Sequence, residues 1–175
     1  MARQVAVCGP ADCTGAERAT AYRVGQLLAE RGAVVICGGG AGVMAAVAAG
    51  ARSRDGLVVG IRPDGSRADA GPDLSVTIVT NMGEARNAII VRSADAVIVV
   101  GGSWGTLSEL ALAKRRGDVP VISVGGWRVV DRDGKPVPGI VEVDTPEAAA
   151  QLALPSTVDR QGPAGGTRGP LQSGG

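Results

Sequence analysis

The sequence has no histidine and no phenylalanine, and its only aromatic side chains are two tryptophans and one tyrosine in 175 residues. Without histidine there is no Ser-His-Asp triad, no Cys-His pair, no imidazole-based zinc site and no histidine general base. Any chemistry falls to carboxylates, Arg, Lys, Ser, Thr, Tyr, Cys or backbone amides. Cysteine is scarce as well. Cys8, Cys13 and Cys37 are odd in number and lack C-x-x-C spacing, which argues against a disulfide framework or a zinc ribbon and reads as buried, inert thiols at strand ends. No metal site is expected. An excess of one charge is also missing, since 18 basic residues face 17 acidic ones for a net charge of +1. That balance gives no electrostatic case for a nucleic-acid or anionic-lipid partner. No run approaches the roughly 20 apolar residues of a membrane span, and the first apolar run is too short for the core of a secretion signal. These absences predict a cytoplasmic protein whose partner is a small molecule, not nucleic acid or membrane.

What the chain does contain is glycine, 28 residues of it, and a hydrophobic fraction of 45% built mostly from Ala, Val, Leu and Ile. Short β-branched runs alternate with longer helical stretches. This pattern predicts an α/β fold, a doubly wound, mostly parallel sheet with helices on both faces in three layers. Strands are expected at Gln4–Cys8, Ala33–Cys37, Leu57–Ile61, Ser75–Thr80, Ala96–Val100 and Pro120–Val124, with a short edge strand at Gly139–Val143. Helices are expected over about 16–31, from the Gly38–Gly42 turn to Arg52, over 83–94, from Thr106 to about Arg116, and after Thr145, with Thr145 as N-cap and Pro146 at the first helical position. The polar stretch 62–74 reads equally as a lid or a surface loop. Residues 1–154 form the one expected domain. In the final stretch 155–175, nine of 21 residues are Gly or Pro, which predicts a disordered tail.

Two glycine-rich turns each follow a buried strand and open a helix, the place where open α/β sheets bind ligands. Glycine lets a phosphate approach the backbone, and a helix N-terminus offers free N–H groups carrying partial positive charge. The first turn is Gly38-Gly39-Gly40-Ala41-Gly42-Val43-Met44. From Gly40 it matches G-x-G-x-x-A, yet it follows the second strand. It therefore reads as a phosphate or nucleotide turn, or as a tight turn with close helix packing. Neither turn carries the Gly-Lys-Ser/Thr ending of a P-loop, which excludes that kind of ATPase site.

The second turn is Gly101-Gly102-Ser103-Trp104-Gly105-Thr106, continuing to Glu109. On spacing alone, Thr106-x-x-Glu109 fits a capping box better than a catalytic pair. Trp104 weighs the other way, because a tryptophan in a glycine-rich turn suits a ligand base or a partner subunit better than a core. Arg86, in Met82-Gly83-Glu84-Ala85-Arg86-Asn87, faces the same mouth if its strands are neighbours.

Together these residues resemble the Lonely-Guy (LOG) family, nucleoside 5′-monophosphate phosphoribohydrolases once described as lysine decarboxylases. The P-G-G-x-G-T-x-x-E motif of that family aligns on Gly101–Glu109, its M-x-x-R-K segment resembles Met82–Asn87, and its G-G-G-x-x-G-L-M turn resembles Gly38–Met44. The likeness covers roughly residues 3–153. It implies a Rossmann-like fold and a catalytic pair, Glu109 with Arg86 at the ribose. It also implies a phosphate or nucleotide site formed by Gly38, Gly39, Gly40, Gly42, Met44, Gly101, Gly102, Ser103, Trp104, Gly105 and Thr106. The activity implied is hydrolysis of a nucleoside 5′-monophosphate to free base and ribose 5-phosphate, with no cofactor required. A homodimer or larger assembly is implied, built on helices near 83–94 and 105–116. Three positions depart from the pattern: Gly101 for proline, Ser103 for glycine and Asn87 for lysine. Those departures resemble molybdenum cofactor carrier proteins, which implies the alternative of a non-catalytic carrier or sensor of a phosphorylated cofactor. An NAD-dependent oxidoreductase rests on Gly40–Ala45 alone.

Overall fold

The computed structural model describes residues 1–155; the expected tail lies, from residue 156 onward, outside the described residues. Seven strands form one sheet: β1 (Gln4–Cys8), β2 (Val34–Cys37), β3 (Val58–Arg62), β4 (Val76–Val79), β5 (Ala96–Val100), β6 (Val121–Val124) and β7 (Val141–Val143). All pairings are parallel, in the order β4-β3-β2-β1-β5-β6-β7. The helices are α1 (Gly15–Glu30), α2 (Val43–Arg52), α3 (Asn87–Arg92), α4 (Trp104–Arg116) and α5 (Pro146–Ala153). This is the expected doubly wound, three-layer α/β fold.

Strand periodicity divides the core. Val5, Val7, Val35, Ile98 and Ile122 point to the face covered by α1, α2 and α5. Ala6, Cys8, Ile36, Val97 and Val99 point to the face covered by α3 and α4. Central strands β1 and β5 are buried almost throughout, which is why they read as continuous apolar runs. With no phenylalanine to fill space, α1 and α2 approach backbone to backbone through Gly25 and Gly50. A Cβ on Gly25 would lie 2.8 Å from Ala51 N, and one on Gly50 would lie 2.8 Å from Tyr22 C.

Two local readings change, and the stretch 62–74, left open in sequence, takes a defined path. The expected helix over 83–94 begins as a 3-10 turn, Gly83–Arg86, before α3. Asn81 (φ 52°) and Gly83 (φ 55°) are left-handed, a conformation that a regular helix excludes. Helix α4 starts at Trp104, not Thr106, because Ser103 is extended and its Oγ accepts the Thr106 N–H at 3.2 Å. The stretch 62–74 is a strap tied down at several points. Arg62, only 6% exposed, donates to the carbonyls of Gly39 (3.1 Å) and Asp69 (2.8 Å). Both bonds come from Nη1, and Nη2 pairs with Asp64. The start of the strap joins the next segment through Asn81 N to Asp64 O (3.1 Å) and Gly83 N to Pro63 O (3.0 Å).

Candidate functional site

From β1 the chain proceeds outward to β2, β3 and β4, and it returns to β5 on the other side of β1. The carboxyl ends of β1 and β5 therefore flank the crevice where strand order reverses, the usual ligand position in such sheets. Around it lies a cleft lined by Gly9, Pro10 and Ala11 after β1, Met44 on α2, Glu84, Arg86 and Asn87 at the entry to α3, and Ser103, Gly105, Thr106 and Glu109 on or just before α4.

At its floor are Arg86 and Glu109, 23 residues apart in sequence and joined by an ion pair with Arg86 Nη1 3.4 Å from Glu109 Oε1. Glu109 is 7% exposed. Burial raises its carboxyl to about 7, against the opposing pull of the Arg86 guanidinium and of a hydrogen bond donated by the Cys8 thiol. A carboxyl balanced near neutrality can hold or release a proton at working pH. The same Arg86 Nη1 donates a shorter bond, 2.7 Å, to Asn87 Oδ1. The Arg86 Nε is buried with no partner among the described residues. Burial also drives the thiols up, Cys8 well above its ordinary value and Cys37 to about 11. Both stay neutral and poorly nucleophilic, as expected. Cys13 differs, being half-buried in the loop before α1 and not at a strand end.

The capping-box reading of Thr106 and Glu109 is corrected here. Ser103 supplies the cap, Thr106 lies inside the first turn and Glu109 turns inward to Arg86. The reciprocal box occurs at α1 instead, where Thr14 and Glu17 satisfy each other's amides. In the first turn of α4 the N–H groups of Trp104 and Gly105 have no hydrogen-bond partner among the described residues. They present a partial positive charge at the cleft rim.

The structure gathers Met44, Arg86, Ser103, Gly105, Thr106 and Glu109 into one cleft. Gly38 lies directly beneath them: a Cβ there would stand 2.6 Å from Met44 Sδ and 2.8 Å from Arg86 Nη2. Gly40 underlies Met44 Cε. A Cβ on the other glycines would meet other neighbours. Gly39 backs onto Arg62 and Leu74, Gly42 onto the Pro10–Ala11 backbone, Gly101 onto the Glu17 carboxylate and Gly102 onto the Trp127 ring. Two departures from the LOG pattern thus have local causes. Gly101 has φ 68°, which proline cannot adopt, and Ser103 is the α4 cap. Asn87 and the β1 loop were missed as site residues. Cys8 ending the strongest N-terminal strand was the available signal for that loop.

A Rossmann-like sheet with an open helix start and an Arg–Glu pair at the strand crossover is the architecture of a LOG-like protein, in a branch that also resembles molybdenum cofactor carriers. The chain belongs to the SLOG cluster4 family, which matches residues 2–150. It is 42% identical over 161 residues to an uncharacterized protein of Archaeoglobus fulgidus, across 89% of this chain and 97% of that one. It is 38% identical to the cytokinin riboside 5′-monophosphate phosphoribohydrolase of Mycobacterium tuberculosis, across 61% of this chain and 62% of the relative. Among solved structures, the molybdenum cofactor binding protein of Rippkaea orientalis superposes with a TM-score of 0.78 at 32% identity, covering 87% of this chain and 95% of the other. The molybdenum cofactor carrier protein of Chlamydomonas reinhardtii gives 0.71 at 25% identity, covering 87% and 98%. Among the described residues no helix is long and apolar enough to cross a membrane.

Proposed function

We propose that the protein binds a nucleoside 5′-monophosphate in this cleft and hydrolyses its N-glycosidic bond to free base and ribose 5-phosphate. The observation that carries this reading is Glu109: a buried carboxylate paired with Arg86, titrating near 7, and released from any capping duty by Ser103. The open amides of Trp104 and Gly105, with Ser103 and Thr106, would receive the 5′-phosphate. Arg86 would fix the sugar. Ionised Glu109 would take a proton from the attacking water while offsetting the positive charge that develops at the anomeric carbon. The water oxygen bonds to that carbon as the C–N bond breaks, the departing base takes the bonding pair, and the proton Glu109 took from the water passes on to the base. The relative from Mycobacterium tuberculosis supports this reading by its name.

A second reading, a non-catalytic carrier of a phosphorylated cofactor, is favoured by one contact and by the solved neighbours. Arg86 is held more closely by Asn87 than by Glu109, an arrangement suited to gripping a ligand without turning it over. Chromatography of base released from a panel of nucleoside monophosphates separates the two. Release by the wild type, lost at least a hundredfold in Glu109→Gln, is the expected result. Intact ligand from every monophosphate, with the protein folded, selects the carrier. We also propose a homodimer or larger assembly through α3 and α4. Light scattering then gives at least twice the 17.4 kDa of the chain, and a monomer refutes it.

A further inference from the structure

We propose that Trp104 and Trp127 form a stacking shelf for the planar heterocycle, nucleobase or pterin, of the ligand whose phosphate the cleft takes. This deepens the reading of the cleft as a phosphate site and rests on it.

Both tryptophans of the chain meet at one point, their ring centroids 5.0 Å apart and their planes at 84°. Trp127 is seated against backbone. Gly102 has no side chain there, and a Cβ on it would fall 2.7 Å from both Trp127 Cγ and Nε1. Trp104 is the first residue of α4 and is 79% exposed. In an edge-on contact at least one face of the outer ring stays free, so Trp127 props Trp104 upright without covering it. An indole left this far in water forfeits the burial that large aromatics usually supply.

The shelf adjoins the cleft: Trp104 stands between Ser103 and Gly105, which both line it. Ser103 and Thr106 line the cleft on one side and the hollow under Trp127 on the other. A ligand with its phosphate at the first-turn amides of α4 thus has one open aromatic face within the same turn. Stacking on such a face selects for a flat π-system and tolerates differences in edge hydrogen bonding. The heterocycle class is therefore read by Trp104, and the phosphate by the helix.

Titration calorimetry with AMP, a phosphorylated pterin and ribose 5-phosphate tests this, in the full chain carrying Glu109→Gln so that no turnover intervenes. Adding Trp104→Ala, a change at an exposed position, is expected to weaken AMP or the pterin about tenfold and leave ribose 5-phosphate within twofold. Trp104→Phe should recover most of the loss. The tighter of the two heterocycles identifies the source of the ring. Equal losses for all three probes, or none, would overturn the shelf while the phosphate site stands. A lowered molar mass with unchanged AMP affinity would make Trp104 a subunit contact and likewise overturn it. Failure of ribose 5-phosphate and AMP alike to bind before the tryptophan is changed would sink the phosphate reading, and the shelf with it.

Discussion

Glu109 sits between opposing influences: burial that favours its neutral form, and an arginine and a thiol that favour its charge. Because its carboxyl lies at about 7 in the folded protein against 4.5 when unconstrained, the folded state holds the proton more tightly. Its contribution to stability is complete below pH 4.5 and is lost as pH rises through 7, a swing on the order of 3 kcal/mol. Glu109→Gln cannot ionise, so its stability relative to wild type should rise by about that amount between pH 4.5 and 8, read from urea midpoints at a series of pH values. A constant difference would place the carboxyl near its ordinary value. Base release, which uses the ionised carboxylate, should increase with pH through the same window. Arg86 and Glu109 were legible as a pair only through the resemblance to the LOG family, since spacing alone favoured a helix cap for Glu109. Asn87 was legible only as a departure, because its role, accepting from Arg86 at 2.7 Å, depends on the fold of α3's first turn.

Among the elements, β1 and β5 matched their sequence boundaries because each is a short continuous apolar run closed by glycine, at Gly9-Pro10 and Gly101-Gly102. The start of α4 did not, since Ser103 and Thr106 are both competent caps and only backbone conformation separates them. The entry to α3 was illegible for a related reason: it is a 3-10 turn, Gly83–Arg86, that opens on left-handed Gly83. Trp127 carried a faint signal, a tryptophan straight after Gly125-Gly126 at a strand end. Ala for Gly inside a helix ordinarily stabilises by roughly 0.5–1 kcal/mol. In α2, Gly50→Ala should have the opposite sign, since its Cβ would enter the Tyr22 backbone of α1. A loss of about 1–3 kcal/mol is expected from thermal or urea unfolding. A neutral or stabilising outcome would mean that the two helices are not in backbone contact.

For the whole molecule, doubly wound topology was readable from alternation alone, and the sheet order then explains why the site lies where it does. Reversal between β1 and β5 brings Cys8, Met44, Arg86 and Glu109 from four separate segments to one crevice. No sequence window contains that convergence. The strap over 62–74 was equally unreadable, because its anchor, Arg62, reaches across to the Gly39 carbonyl. In the proposed function this crevice receives a phosphate at α4 and presents the sugar to Arg86 and Glu109. A crystal structure of Glu109→Gln with AMP would show whether it does. Phosphate oxygens within hydrogen-bond reach of the Trp104 and Gly105 amides, with the ribose beside Arg86, are the predicted result. AMP bound elsewhere, with the first turn of α4 left to solvent, would contradict it.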